Sequence, residues 1–157
     1  MRKSINQLAT IAVLLFLAFK LMDMFFVDSS TSLPPTNPEY YIDATGTQVS
    51  LSDYTGDYLW VDYAAEWCGY CEPQTRTLQG VERHFGDRIV FLTVITGTEK
   101  VMESPSASTA MKWVKRFNLD PYKVLAKFST NTLPYHILYS PSGEILHQSS
   151  GLYSADM

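Results

Sequence analysis

The sequence predicts an α/β domain, a mixed sheet flanked by helices, preceded by one apolar N-terminal helix. Three observations carry this expectation. From residue 39 onward, segments of strand and helix character follow the order β–β–β–α–β–α–β–β, which implies a mixed sheet covered by helices. Residues 8–27 are apolar except for Thr10, Lys20 and Asp23. The chain's two cysteines, Cys68 and Cys71, fall between a strand and a helix.

The N-terminal segment comes first. Twenty helical residues rise about 30 Å, enough to cross a hydrocarbon core. Lys20 and Asp23 are spaced to pair, and Lys20 can also extend toward the interface. The fully apolar run 11–19 has the length of a cleavable signal, yet Met22-Asp23-Met24-Phe25-Phe26-Val27 offers no small-x-small cleavage site. The expectation is therefore a retained signal anchor over 1–30, with a cleaved signal as the alternative. Arg2 and Lys3 precede the segment and no cation occurs between Lys20 and Arg76, so the N-terminus should stay cytoplasmic and the remainder lie outside. Residues 31–38, with Pro34, Pro35 and Pro38, read as a short stiff linker to a domain over 39–157.

Within that domain, Tyr40-Tyr41-Ile42 and Val49-Ser50-Leu51 flank Asp43-Ala44-Thr45-Gly46 and predict a hairpin. Residues 59–64 form a strand that is apolar except for Asp62. Residues 72–85 carry Leu78, Val81 and Phe85 at helical spacing, and Gly86 stands where a helix stops. Residues 89–95 have the near-continuous apolar character of a strand buried on both faces. Ser108 is placed to cap a helix with Ala110, Val114 and Phe117 on one face, ending before Pro121. Residues 135–139 and 144–148 form a hairpin around Ser140-Pro141-Ser142-Gly143, a type I turn sequence.

Composition narrows the function. Apolar residues are 46% and charged residues 18%, which excludes a disordered chain. Net charge is −4, with no run of Lys or Arg to displace counterions, so no nucleic-acid partner is expected. Two cysteines this close together are too few for a disulfide framework.

In Trp67-Cys68-Gly69-Tyr70-Cys71, one helical turn brings the sulfurs within bonding reach. A thiol at a helix start faces unsatisfied N–H groups and the positive dipole end, which favour its thiolate. A thiolate attacks disulfides, and a neighbouring thiol resolves the mixed disulfide. Chemistry thus makes Cys68 the attacker and Cys71, a turn further in, the resolver. A purely structural disulfide would constrain little chain. Zinc would need two more ligands, and His84, His136 and His147 lack paired spacing. Covalent haem attachment is excluded because Glu72, not His, follows Cys71.

The segment Val61-Asp62-Tyr63-Ala64-Ala65-Glu66-Trp67-Cys68-Gly69-Tyr70-Cys71 resembles the active-site segment of thioredoxins. The chain as a whole is most similar to membrane-anchored TlpA/ResA-like thiol–disulfide oxidoreductases, over residues 39–152. That likeness implies a thioredoxin-like fold with an extra N-terminal hairpin. It implies that Asp62 is the buried acid that takes the Cys71 proton, and that Leu133-Pro134 is a cis bond facing the cysteines. It makes Trp67, Gly69, Tyr70, Leu133 and Pro134 the substrate-binding surface, with Leu133 backbone free to pair with an extended substrate. No cofactor beyond the Cys68–Cys71 couple is implied, and no metal. The implied partners are cysteine-containing extracytoplasmic proteins and a membrane electron donor. The implied location is the bacterial inner membrane, single-pass, with the domain facing the periplasm or exterior.

Some positions depart from the family's pattern. Arg76 stands where a helix proline is usual, and the usual lysine partner of the acid falls at Thr96. The family's last helix would begin where this sequence stops, so apolar surface should be exposed there. Glu66 reads as a solvated rim charge, and Pro73 suits a first helical turn. The alternative function is a tethered copper chaperone or a non-catalytic docking module on the same fold. Copper-carrying relatives space their cysteines by three residues and use a distant His, whereas this chain has two between the cysteines and His136 beyond Pro134.

Overall fold

A computed structural model describes residues 39–100, 103–129 and 132–153 of the chain. The expected anchor and linker lie outside the described residues, and among the described residues no helix is long and apolar enough to cross a membrane. Seven strands, Tyr40–Asp43 (β1), Gln48–Ser50 (β2), Tyr58–Ala64 (β3), Ile89–Ile95 (β4), Val124–Ala126 (β5), Tyr135–Tyr139 (β6) and Ile145–Ser150 (β7), form one sheet. Its order is β2-β1-β5-β4-β3-β6-β7, with β3, β4 and β5 mutually parallel and the other pairings antiparallel. The mixed sheet is therefore parallel at its centre, where strands are buried on both faces. β3 pairs with β4 on one side and β6 on the other, which places Asp62 in an interior strand.

Strand alternation sorts the core. Trp60, Ala64, Phe91, Ile95, Val124 and Ala126 pack with the helices Cys71–Phe85 (α1) and Ala107–Phe117 (α2). Residues of the opposite parity, among them Leu59, Val61, Tyr63, Leu92, Val94 and Leu125, form a second cluster with Tyr41 and Ile137. Trp113 of α2 is the bulkiest fully buried side chain among the described residues and meets Phe117 in a tilted contact at 4.7 Å between ring centres.

Each helix has local reasons for its ends. α1 carries Glu72 and Pro73 in its first turn, where an acid meets the dipole and a missing N–H costs nothing. It stops at Gly86, whose φ of 62° suits a residue without Cβ. For α2 the N-cap is Ser106, not Ser108. Ser106 N–H donates to Thr109 Oγ1 at 3.2 Å in a reciprocal cap, while Ser108 sits in the first turn with its hydroxyl 2.8 Å from that of Ser106. α2 ends at Asn118, left-handed at φ 53° and so well ahead of Pro121. The Ser140–Gly143 turn closes with Gly143 N–H donating to Ser140 O at 2.9 Å.

β5 is the element the sequence pattern does not predict. Its three residues hydrogen-bond between β4 and β1, joining the N-terminal pair of strands to the parallel centre. An apolar groove of about 560 Å³ opens between α1 and the sheet, lined by Trp60, Val81, Phe85, Phe91, Leu138 and Tyr153.

Candidate active site

The two cysteines occupy the junction between β3 and α1. After Ala64 the chain turns, with Cys68 N–H donating to Ala65 O and Cys71 N–H to Cys68 O, both at 3.0 Å. Cys71 is the first residue of α1 and is disulfide-bonded to Cys68, their Cα atoms 5.4 Å apart. Cys68 is 5% exposed and Cys71 1%, so the residue assigned as attacker is slightly the more exposed of two buried cysteines. Both pack against Ala64, Ala65 and the α2 face, with Leu133 against the same cluster.

The Leu133–Pro134 peptide is cis, as the resemblance implies. Pro134 is buried and its carbonyl accepts from Gly151 N–H at 2.8 Å, which fixes the start of β6 against the segment after β7. Around the disulfide, Trp67 is 46% and Tyr70 70% exposed, and a Cβ built on Gly69 would meet open space. The rim is thus aromatic and open. Trp67 lies over Gly97: a Cβ there would come within 2.8 Å of its indole Nε1.

Glu66 is not a solvated rim charge. Its side chain is 9% exposed, accepts from Glu99 N–H at 3.1 Å and lies 3.6 Å from Lys112 Nζ. It ties the loop after β4 and the α2 face to the cysteine turn. Arg76 sits in an unbroken helix with its guanidinium 5.1 Å from the Phe117 ring centre, a cation–π contact between α1 and α2.

Asp62 is 1% exposed, on the same face of β3 as Ala64. Register places Thr93, not Thr96, beside it on β4; Thr96 donates its hydroxyl to Ala64 O at 3.2 Å instead. The partner of Asp62 comes from the opposite neighbour. His136 on β6 is in register with Asp62, is also 1% exposed, and brings Nδ1 to 2.9 Å from Asp62 Oδ1. The two groups meet at ion-pair distance without the alignment of a directional hydrogen bond, and Asp62 Oδ2 has no hydrogen-bond partner among the described residues. His136 Nε2 lies 2.9 Å from Gly151 O.

Asp62 also lines a cavity of about 180 Å³, together with Thr75 and Glu82 of α1, Thr93 of β4, and Asp120 and Lys123. That volume is ample for water. Burial pushes the Asp62 carboxyl above its ordinary range, with His136 pulling it partly back. Burial alone would lower His136, but Asp62 and the Gly151 carbonyl outweigh it and hold the imidazole above its ordinary value.

The structure thus brings Cys68, Cys71 and Leu133 into one apolar cluster, with Trp67, Gly69 and Tyr70 in the turn between β3 and α1, Pro134 immediately before β6, and Asp62 two residues before the end of β3. Sequence reasoning weighed His136 only as a metal ligand, not as a partner of Asp62, and did not single out Gly97. One signal for His136 was present: it is a polar residue in a run, 135–139, that is otherwise aromatic or aliphatic.

The sequence matches no protein-family model and no curated protein. Solved structures do match. The pneumococcal exposed lipoprotein thioredoxin Etrx1 from Streptococcus pneumoniae superposes with a TM-score of 0.59 at 22% identity, over 76% of this chain and 93% of its own. DsbF of MTB gives 0.63 at 14%, over 80% and 92%. A secreted Mycobacterium tuberculosis disulfide oxidoreductase homologous to E. coli DsbE gives 0.59 at 13%, over 76% and 88%. At these identities the likeness carries the fold, which is thioredoxin-like. Many of the structural neighbours are thiol–disulfide oxidoreductases, and this chain has a cysteine pair at disulfide distance where its helix begins.

Proposed function

We propose that the chain is a membrane-tethered, extracytoplasmic thiol–disulfide oxidoreductase of TlpA/ResA-like type that acts as a reductant of protein disulfides. The observation that carries the reading is the Cys68–Cys71 disulfide at the start of α1, in one apolar cluster with Leu133 of the cis Leu133–Pro134 bond. In the reduced form, the Cys68 thiolate attacks a substrate disulfide and one substrate thiolate leaves. Cys71 Sγ then attacks Cys68 Sγ, its proton passing to Asp62. The second substrate thiolate leaves, and two electrons have moved from the dithiol to the substrate. An extended substrate segment pairs with the backbone at Leu133, held in strand-addition mode, while Trp67, Gly69 and Tyr70 border the sulfur.

Tethering and compartment are supported by the apolar segment 8–27 with its preceding cations, and by neighbours named as an exposed lipoprotein and a secreted protein. The electron donor in this reading is a membrane protein, which tethering would concentrate near the domain.

The deciding experiment is the reduction potential of the Cys68–Cys71 couple against glutathione, with Cys68→Ser as control. A value near about −270 mV marks a reductant, and one between about −180 and −120 mV an oxidant or isomerase. Absence of a reversible couple, with stoichiometric copper binding by the reduced protein, would replace the enzyme with a metal carrier.

A further inference from the structure

We propose that His136 is the cation partner of Asp62, a positioning residue that sets the pH at which Asp62 accepts the Cys71 proton. The inference rests on the reading of Asp62 as that acceptor. A carbonyl oxygen only accepts, so the 2.9 Å contact with Gly151 O fixes a proton on His136 Nε2. Any further proton on the ring therefore sits on Nδ1, which faces Asp62 Oδ1 at 2.9 Å. At that distance a neutral ring would set a lone-pair nitrogen beside the carboxylate, an unfavourable contact for two groups each only 1% exposed. An imidazolium instead sets a full positive charge at ion-pair distance from the carboxylate, and Asp62 Oδ2, with no hydrogen-bond partner among the described residues, is the oxygen that takes the new proton.

The surroundings supply no competing charge at that distance. The rings of Trp60 and Tyr153 flank the imidazole at 5.8 and 6.3 Å. On the far side of Asp62 the cavity is faced by Glu82 and Arg83 from α1 and by Asp120 and Lys123 from the segment after α2. Lys123 Nζ is already paired with Glu82 Oε1 at 2.9 Å. At the start of α1, Glu72 is paired with Arg116, and Cys71 supplies the proton that Asp62 accepts. Among the described residues, His136 is the cationic side chain within ion-pair distance of Asp62. In the resolving step the proton leaves Cys71 Sγ for Asp62 Oδ2 while the imidazolium keeps both of its own. The pair passes from neutral to a single positive charge and discharges through the cavity to solvent.

The test is the pH–rate profile for reduction of a peptide disulfide by the full chain, in the parent, His136→Gln, His136→Lys and Asp62→Asn. Without the cation, burial alone governs Asp62, and the rising limb should move up by about one pH unit or more. At a fixed pH on that limb the rate falls about tenfold, and His136→Lys restores the limb toward the parent. A limb that stays in place in His136→Gln, with a uniform loss of rate that lysine does not rescue, assigns His136 to packing and overturns the proposal. Asp62→Asn should abolish the limb. If it leaves the limb as in the parent, the failure lies with Asp62 as acceptor, and the His136 assignment falls with it. Should His136→Gln fail to fold, nitrogen-15 NMR of the parent at pH 7 decides. Protons on both ring nitrogens support the assignment, and a bare Nδ1 overturns it.

Discussion

Gly97→Ala separates stability from activity at this site. The new Cβ would lie 2.8 Å from Trp67 Nε1, where ordinary contact begins at 3.4 Å, so the indole must retreat by about 0.6 Å. Trp67 is 46% exposed and free to swing outward, which makes that retreat cheap for the fold. The substitution also removes backbone freedom from the unfolded chain, a gain of about 0.4–1 kcal/mol where the native conformation suits alanine. The two effects oppose each other, and net stability should change by less than about 1 kcal/mol. Catalysis is less forgiving, because displacing a substrate-positioning group by 1 Å can cost up to about 10²-fold. A shift of about half that distance on the rim should lower kcat/KM for a peptide disulfide by roughly 3–10-fold. Urea melts and disulfide turnover measure the two quantities, with Trp67→Ala as reference for complete loss of the contact. An unchanged kcat/KM in both variants would refute Trp67 as part of the substrate surface. A stability loss above about 2 kcal/mol in Gly97→Ala would show instead that the indole is locked by packing.

Four further outcomes are expected. Trp113→Ala should cost about 3–5 kcal/mol by emptying the centre of the α2 face, whereas Trp113→Phe should cost far less, because the indole N–H it removes is buried with no hydrogen-bond partner among the described residues; urea melts at equal slope compare them. Asp43 accepts from Thr45 N–H, Thr45 Oγ–H and Thr47 N–H at 2.7–2.8 Å. Although burial opposes it, these donors hold its carboxyl below the ordinary range. Its contribution is therefore present above about pH 3.8 and lost as pH falls through the lower native pKa; Asp43→Ala should cost about 1–3 kcal/mol at pH 7 and flatten that acid limb in thermal melts. Cys71→Ser should trap substrates as mixed disulfides on Cys68, visible on non-reducing gels, while Cys68→Ser traps none. The double substitution Asp62→Leu with His136→Leu should leave stability unchanged or raise it by up to about 4 kcal/mol while removing the proton acceptor, as thermal melts and turnover would record.

Local chemistry made much of this fold legible. α1 announces itself through Pro73, its apolar spacing and Gly86, and the β6–β7 turn through Pro141 and Gly143. What stayed hidden was decided by pairing between distant segments. Val124-Leu125-Ala126 is too short to carry an alternation, and it becomes a strand because β4 and β1 supply its hydrogen bonds. Ser106 and Ser108 are equally good caps by residue type, and Thr109, three residues past the first of them, selects Ser106. The same holds for Thr93 and Thr96, since only the parallel register of β3 on β4 shows which lies beside Asp62.

The acid itself was readable as a buried group because its neighbours are apolar; its environment was not. In β3 the alternation that turns Leu59, Val61 and Tyr63 to one cluster turns Trp60 and Asp62 to the other. The antiparallel register of β6 then sets His136 opposite, two residues past the cis bond that starts the strand. Two charged groups so deeply buried oppose folding unless each offsets the other, and neither carboxylate oxygen has a hydrogen-bond partner among the described residues, beside a cavity of about 180 Å³. Leucines in both places would suit the core at least as well. An arrangement that burdens stability and lies at the foot of the cysteine helix fits a site built to take up and release a proton, which a packing role alone would not require.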